Sequence, residues 1–113
     1  MPDLITWADF EKINICSGTI IEAVDFKNAR KPSYQLTIDF GETLGIKRSS
    51  AQITVLYKKE DLIGRQVIAV TNFPPRQIAN FFSEVLVLGS VDTEGVVTLL
   101  KPDVPVENGL RIA

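Results

Sequence analysis

A small all-β barrel is the fold class that this sequence of 113 residues predicts. Three observations predict it. Stretches rich in β-branched residues recur between residues 13 and 89, one of them alternates apolar and polar side chains strictly, and glycine or proline punctuates the connections. With 45% apolar and 23% charged residues, the composition is that of a globular domain. We therefore expect one folded unit, residues 1–113, with a single core.

A short helix is predicted ahead of the barrel. Thr6 can cap it, and Asp9 lies three residues later, which is the spacing of a capping box. Ile5 and Phe10 occupy the two positions of a hydrophobic staple. Trp7 shares an apolar face with Phe10. Because a helix this short is not stable alone, that face must dock on the core or on a second subunit.

Three strands are predicted in the first half of the chain. Ile13–Phe26 is rich in β-branched residues and contains Gly18, which favours a bulge or a bend. Tyr34–Phe40 alternates apolar with polar residues, so its inner face is clear. After a hairpin connection at Gly41–Gly45, Ile46–Thr54 returns as an unusually polar strand. This third strand has little to bury, so it could offer its side chains to a ligand.

A helical segment and two apolar strands follow. Val55–Gly64 predicts a helical turn, and Gln66–Phe73 predicts a strand buried on both faces, with Phe73 in the core. Glu84–Gly89 supplies another apolar strand. Three strands, a helical segment and two strands are the element order of an OB-fold. We therefore predict a five-stranded OB-fold barrel over residues 13–89.

The predicted barrel leaves residues 1–12 and 90–113 outside it. The tail predicts one more strand pair, Val96–Leu100 with Leu110–Ile112. Extra strands and an apolar helix outside a complete barrel would be liabilities in a monomer, so we predict that they form a dimer arm. The predicted interface residues are Trp7, Phe10, Leu110 and Ile112.

The amino-acid inventory excludes most familiar catalytic and metal-binding arrangements. The chain has no histidine, which removes Ser-His-Asp and Cys-His nucleophiles and every histidine metal site. Its single cysteine, Cys16, excludes an internal disulfide and a multi-thiolate zinc site. A pairing of Lys47 with Ser49 or Ser50 matches no nucleophile motif. We therefore predict a protein that is not an enzyme and holds no metal or cofactor.

The N-terminal sequence lacks the pattern of a secretory signal. Met1–Lys12 carries acidic residues and has no basic stretch followed by an apolar one. The longest apolar runs, Val67–Val70 and Val85–Leu88, have four residues each. A bilayer span needs about 20. We therefore expect a cytoplasmic protein without membrane insertion.

Positive charge is concentrated in the middle of the chain. The formal net charge is −2, yet residues 27–76 contain nine basic and four acidic residues. Bases gathered on one side of the fold could attract an anion such as a phosphate backbone. The alternative is that these bases are simply solvated, or protect an edge strand against aggregation.

Three groups of residues are candidates for ligand binding. They are the polar third strand, the basic loop that connects the first and second strands, and the aromatic residues around the proline turn, which could form a base-stacking platform or an apolar peptide pocket. Phe81 and Phe82 are adjacent, so at most one of them packs inward. The candidates are Arg30, Lys31, Lys47, Arg48, Ser49, Ser50, Gln52, Asn72, Phe73, Arg76, Phe81 and Phe82.

Three runs of sequence, Ser49–Thr54, Gln66–Arg76 and Ser83–Gly89, closely resemble the CsaA family of export-related chaperones. That family is built on the tRNA-binding domain shared with accessory domains of tRNA synthetases, and the resemblance extends from Trp7 to Ala113. It implies an OB-fold homodimer that binds unfolded polypeptides or preproteins and could pass them to the secretion motor. The binding face that it implies contains Ser49, Ser50, Gln52, Asn72, Arg76, Ser83 and Glu84.

Three positions depart from what the resemblance leads us to expect. Cys16, Gln77 and Phe82 stand where basic residues are frequent in the family, so each change removes a potential phosphate contact. Each lost contact flattens the dependence of log K on log salt by about 0.7 to 0.9. We therefore favour a polypeptide ligand, and binding of tRNA is the alternative.

Overall fold

In a computed structural model that describes residues 3–113, the chain forms nine short strands and three helices of one turn or little more. In chain order these are α1 (Trp7–Glu11), β1 (Ile15–Asp25), β2 (Tyr34–Asp39), α2 (Gly41–Leu44), β3 (Ile46–Ala51), α3 (Lys59–Leu62), β4 (Gln66–Val70), β5 (Arg76–Ile78), β6 (Phe81–Ser83), β7 (Leu86–Val87), β8 (Gly89–Val91) and β9 (Val97–Leu99). Five of the strands form one antiparallel sheet in the order β3-β2-β1-β4-β7. The sheet curls into a nearly closed barrel, so the predicted five-stranded all-β fold with a short helix ahead of it is confirmed.

Strand β2 provides the clearest match between sequence pattern and burial. Tyr34, Leu36 and Ile38 are buried, and the residues between them are partly exposed. Phe40, which follows the strand, keeps only 1% of its surface exposed. Because successive side chains of a strand point to opposite faces, strict alternation is sufficient to place one face in the core.

Gly18 allows that core to close on β1. A Cβ atom at Gly18 would lie 2.7 Å from Phe40 Cε1 and 2.8 Å from Ile38 Cγ2. Any larger residue would therefore push the Phe40 ring out of its packed position. The β-bulge of this strand lies between Ile20 and Glu22, so the bend and the glycine are separate features.

Two connections differ from the prediction. The chain between β2 and β3 contains a helical turn, α2, rather than a plain hairpin loop. Strand β4 ends at Val70, and the following turn carries Phe73 out to 54% exposure. The expectation that Phe73 belongs to the core was wrong because the buried strand ends three residues earlier than its apolar pattern suggested.

The predicted pairing within the C-terminal tail is also wrong. Strand β9 pairs with β8, and the tail at Leu110–Ile112 lies instead beside the beginning of β1. The Ser17 amide donates to the Leu110 carbonyl at 3.0 Å, and the Ile112 amide donates to the Ile15 carbonyl at 2.8 Å. Because β2 ends opposite Thr19, the first residues of β1 have a free edge that the tail occupies.

A buried serine holds the tail in place. Ser17 is fully buried, and its Oγ donates to the Glu107 carbonyl at 2.9 Å and accepts from the Leu110 amide at 3.1 Å. We expect Ser17→Ala to lower the free energy of unfolding by about 1–3 kcal/mol, because it removes the two hydrogen bonds by which this buried side chain holds the backbone of the tail. Urea unfolding measures this. Ser90→Ala, at an exposed position, is the control, and an equal loss in both variants would contradict the role of Ser17.

Helix α1 begins as the sequence predicts. The Asp9 amide donates to Thr6 Oγ1 at 3.1 Å, and the Thr6 amide donates to Asp9 Oδ2 at 3.0 Å, so the capping box is present. The apolar face of α1 is only partly covered by its own chain, because Phe10 is half-buried and Trp7 is 85% exposed. Each of the three helices found in residues 3–113 is far shorter than a bilayer is thick.

An ion pair holds α3 against the end of β1. Lys59 Nζ lies 2.7 Å from Asp25 Oδ2. The hydrogen bond to Asp25, and then its charge, raise the pKa of Lys59 above its ordinary value. The stability that comes from the raised pKa of Lys59 is therefore present at neutral pH and is lost as the pH rises through that raised pKa.

Candidate binding groove

The barrel has one incompletely closed seam, between the two end strands of its sheet. Since each of the four neighbouring pairs is antiparallel, β3 and β7 run in the same direction. Near Arg48 the seam is closed, because the Glu84 amide donates to the Arg48 carbonyl at 2.8 Å and the Arg48 amide donates to Glu84 Oε1 at 3.1 Å. The Ser50 amide donates to Ser83 Oγ at 3.1 Å. These contacts come from Ser83 and Glu84, which precede β7, and β3 and β7 themselves do not pair within the described residues 3–113, so beyond Ser50 the seam is open as a wedge.

A groove of about 990 Å³ lies over the open end of this wedge. Its walls are the loop after β1, the end of β3, the turn after β4, the segment around β7 and the β8–β9 hairpin. Ile53 and Val85 are buried members of its lining. Phe73, Leu86 and Val91 present apolar surface at its sides, at 54%, 49% and 66% exposure. The groove therefore offers an apolar bed to a long, narrow ligand.

The groove also carries positive charge. Arg30, Lys31 and Arg76 line it, and all three are exposed. None of them takes part in an ion pair found in residues 3–113. The one acidic residue of the lining, Glu84, has its Oε2 4.0 Å from Lys47 Nζ and is thereby partly neutralised. An anionic group entering the groove would meet three cations available for pairing.

The structure brings eight of the fourteen predicted binding residues together. Those that line the groove are Arg30, Lys31, Ser50, Gln52, Phe73, Arg76, Ser83 and Glu84. They come from four separate segments of the chain. The basic loop and the proline turn, which the sequence treated as separate candidates, therefore face one another across a single cleft.

Three of the other predicted residues support the wall of the groove from behind. Ser49 is 1% exposed, and Phe81 is 2% exposed with its ring centroid 5.2 Å from that of Phe26. The Arg48 guanidinium lies 4.4 Å from the centroid of the Phe81 ring and donates to Gln35 Oε1 at 3.2 Å. As predicted, only one of the two adjacent phenylalanines, Phe81, packs inward.

The remaining three lie outside the groove lining. Lys47 pairs with Glu84, as described above. Asn72 joins the turn after β4 to the N-terminal segment, since its Oδ1 accepts from the Asn14 amide at 2.9 Å and its Nδ2 donates to the Lys12 carbonyl at 2.8 Å. Phe82 is 53% exposed on the β5–β6 hairpin, opposite Gln77.

Sequence reasoning missed the apolar contribution of the last strands to the groove. Leu86 and Val91 line it. Leu86 belongs to the predicted apolar strand Glu84–Gly89, and Val91 belongs to the tail that was predicted to form a dimer arm. Cys16, considered as a lost phosphate contact, is 3% exposed and faces the core. The Cys16 side chain is therefore not part of the groove lining.

The described residues 3–113 contain no group of three acidic or thiol side chains placed to hold a metal ion. The polar groups of the groove are hydroxyl, amide and guanidinium or ammonium groups, with one paired carboxylate. Such groups bind a partner by hydrogen bonds and charge.

Comparisons with known proteins agree on the type of fold. Residues 15–111 match the family model "Putative tRNA binding domain". The crystal structure of the chaperone CsaA from Bacillus anthracis is 50% identical, with a TM-score of 0.93 over 98% of this chain and 100% of that one. The CsaA chaperone protein of Picrophilus torridus is 57% identical, with a TM-score of 0.91 over 97% and 100% of the two chains. The methionine–tRNA ligase of Methanocaldococcus jannaschii is 32% identical over 102 residues, and the chain spans only 15% of its length.

Fold and groove together define an OB-fold binding module with an open seam. The chain belongs to the tRNA-binding domain family. Within that family it is similar to the CsaA chaperones over nearly its whole length.

Proposed function

We propose that this protein is a CsaA-like homodimeric chaperone whose groove binds unfolded polypeptides, including preproteins on their way to export. The observation that carries the proposal is the groove itself, which combines exposed apolar side chains with cations that lack ion-pair partners in residues 3–113. Exposed apolar surface on this scale marks an interaction site. The two similar CsaA structures, both named as chaperones, support the same conclusion.

The test is suppression of the aggregation of a chemically unfolded protein, such as reduced lysozyme. We expect Phe73→Asp to raise the chaperone concentration needed for this suppression by about tenfold, since a charge replaces the apolar side wall. Phe82→Asp is a matched control, because Phe82 is equally exposed at 53% but lies outside the groove lining. Light scattering measures aggregation. Equal activity of the two variants and the parent protein would remove the groove as the binding site.

The homodimer is supported by the uncovered face of α1. Leu4 is fully exposed, Ile5 is 71% exposed and Trp7 is 85% exposed, which is costly for large apolar side chains in a monomer. Leu110, at 45% exposure, is the predicted contribution of the tail. A second copy of the chain that covers this face would complete the molecule without rearranging the barrel.

We expect the double substitution of Trp7 and Phe10 by alanine to shift the protein from dimer toward monomer, because both rings contribute apolar area to the proposed interface. Static light scattering after size-exclusion chromatography measures the mass. Val55→Ala with Leu56→Ala, at exposed apolar positions far along the chain, is the control. An unchanged mass in the double variant would show that these rings do not hold the dimer together.

Binding of tRNA is the second candidate function, and two observations favour it. The family model that matches residues 15–111 describes a tRNA-binding domain. Arg30, Lys31 and Arg76 give the groove three cations that could contact phosphates. A salt titration with tRNA distinguishes this candidate from polypeptide binding.

A further inference from the structure

The edge of β7 that faces the wedge has backbone groups free to pair with a ligand. The Leu88 amide donates to the Ile68 carbonyl at 2.8 Å, and Leu86 pairs with Val70. Backbone groups of alternate residues in a strand point to opposite edges. Val87, between Leu86 and Leu88, therefore turns its N–H and C=O away from β4 and toward the groove.

The opposite edge, on β3, is occupied only at its closed end. Arg48 and Ser50 turn their amides away from β2, and these are the amides that Glu84 and Ser83 satisfy. Gln52, one residue past the end of β3, lines the groove beyond the last of these contacts. The alternation of β3, continued one residue past its end, would turn the Gln52 amide toward the wedge, on the wall opposite Val87.

The buried part of this opening is apolar, and its cations lie in the exposed part. Ile53 and Val85 lie buried in the lining, whereas Arg30, Lys31 and Arg76 are exposed. A strand laid in the wedge would point alternate side chains inward, toward the apolar lining, and outward, toward the cations. Its favoured composition is therefore apolar residues alternating with acidic ones.

We propose that the groove binds its client as an extended strand, hydrogen-bonded through its main chain to the open edges at Gln52 and Val87, with apolar side chains inward and acidic side chains toward the three cations. This inference rests on the proposed function, because it names how a polypeptide would occupy the same groove. Strand addition draws affinity from backbone groups that every peptide has, and draws selectivity from alternate side chains. A chaperone can therefore accept many sequences in one groove.

The test uses three fluorescein-labelled decapeptides that alternate valine with glutamate and differ only in their backbone. One is unmodified, one is N-methylated at the valines and one at the glutamates. Binding to the full chain is measured by fluorescence anisotropy. N-methylation removes the donor and blocks one edge of a strand, so we expect at least about tenfold weaker binding in one or both methylated peptides. Loss in both indicates that both edges of the wedge are engaged.

Equal binding of all three peptides would overturn strand addition while leaving polypeptide binding in the groove intact. No binding of the unmodified peptide would overturn the inference, and if Phe73→Asp also left chaperone activity unchanged, the proposed function would fail with it. Displacement of the unmodified peptide by tRNA would indicate that both ligands use the same groove. If the protein bound tRNA but none of the peptides, the proposal would be overturned.

Charge selectivity supplies an independent readout on the same protein. A fourth decapeptide with lysine in place of glutamate keeps the backbone and the apolar face. We expect it to bind at least about tenfold more weakly at low salt, with the difference shrinking as salt screens the cations. Equal affinity for the acidic and basic peptides would overturn the assigned side-chain preference.

Discussion

Replacing Arg30, Lys31 and Arg76 together by glutamine is expected to flatten the salt dependence of tRNA binding by about 2 in the slope of log K against log salt. Each phosphate contact contributes about 0.7 to 0.9 to that slope, and the three residues line one groove. A difference of about 2 in this slope makes the loss of tRNA affinity larger as the salt concentration falls. At low salt we expect the affinity to fall by a factor of about 100. Filter binding or anisotropy at four salt concentrations measures both quantities.

The matched control replaces Lys12, Lys58 and Lys101 by glutamine. These lysines are exposed and lie outside the groove lining. The control removes three positive charges, as the groove variant does, so the change in net charge is the same. If the control flattens the slope as much as the groove variant, attraction is a property of the whole surface and not of the groove. A shallow slope in the parent protein that neither variant alters would argue against tRNA as a ligand.

Phe40→Ala is expected to lower the free energy of unfolding by about 3–5 kcal/mol, the range measured when a buried phenylalanine is truncated. Phe40 is 1% exposed, and its ring fills the space that Gly18 leaves above β1. Neither the glycine nor the strands around it can move in to fill the cavity without disturbing the barrel. Urea unfolding followed by circular dichroism measures the loss.

Phe73→Ala is the control, because Phe73 is 54% exposed and its truncation should change stability by about 0.5 kcal/mol or less. A loss below about 1 kcal/mol for Phe40→Ala would mean that the surrounding residues move in to fill the cavity. That result would contradict the tight packing of Phe40 on Gly18. The same pair of variants separates stability from function, since Phe73→Ala is expected to weaken client binding and Phe40→Ala to weaken the fold.

The local sequence pattern predicted the barrel well where burial follows from alternation. Tyr34, Leu36 and Ile38 were assigned to the core by their spacing, and they are buried. The capping box of Thr6 and Asp9 was predictable for the same reason, since its partners are only three residues apart. Such features depend on backbone geometry within a few residues.

Pairings and exposures that depend on distant segments were predicted poorly. The tail was expected to pair within itself, but Leu110–Ile112 lies beside β1, at a free edge created by the early end of β2. Phe73 was placed in the core because its strand is apolar, but the chain leaves the sheet at Val70. In both cases the deciding factor is where a strand ends: β2 for the tail, and β4 itself for Phe73.

Composition and short-range spacing determined that this chain would form an all-β barrel with a capped helix ahead of it, and they identified the residues of the inner face. The tertiary structure alone decided that the barrel would stay open between β3 and β7 and that Arg30 and Arg76, 46 positions apart, would flank the same opening. The physical reason is that alternation records only which way a side chain points. The groove depends on how the ends of five strands meet when the sheet closes.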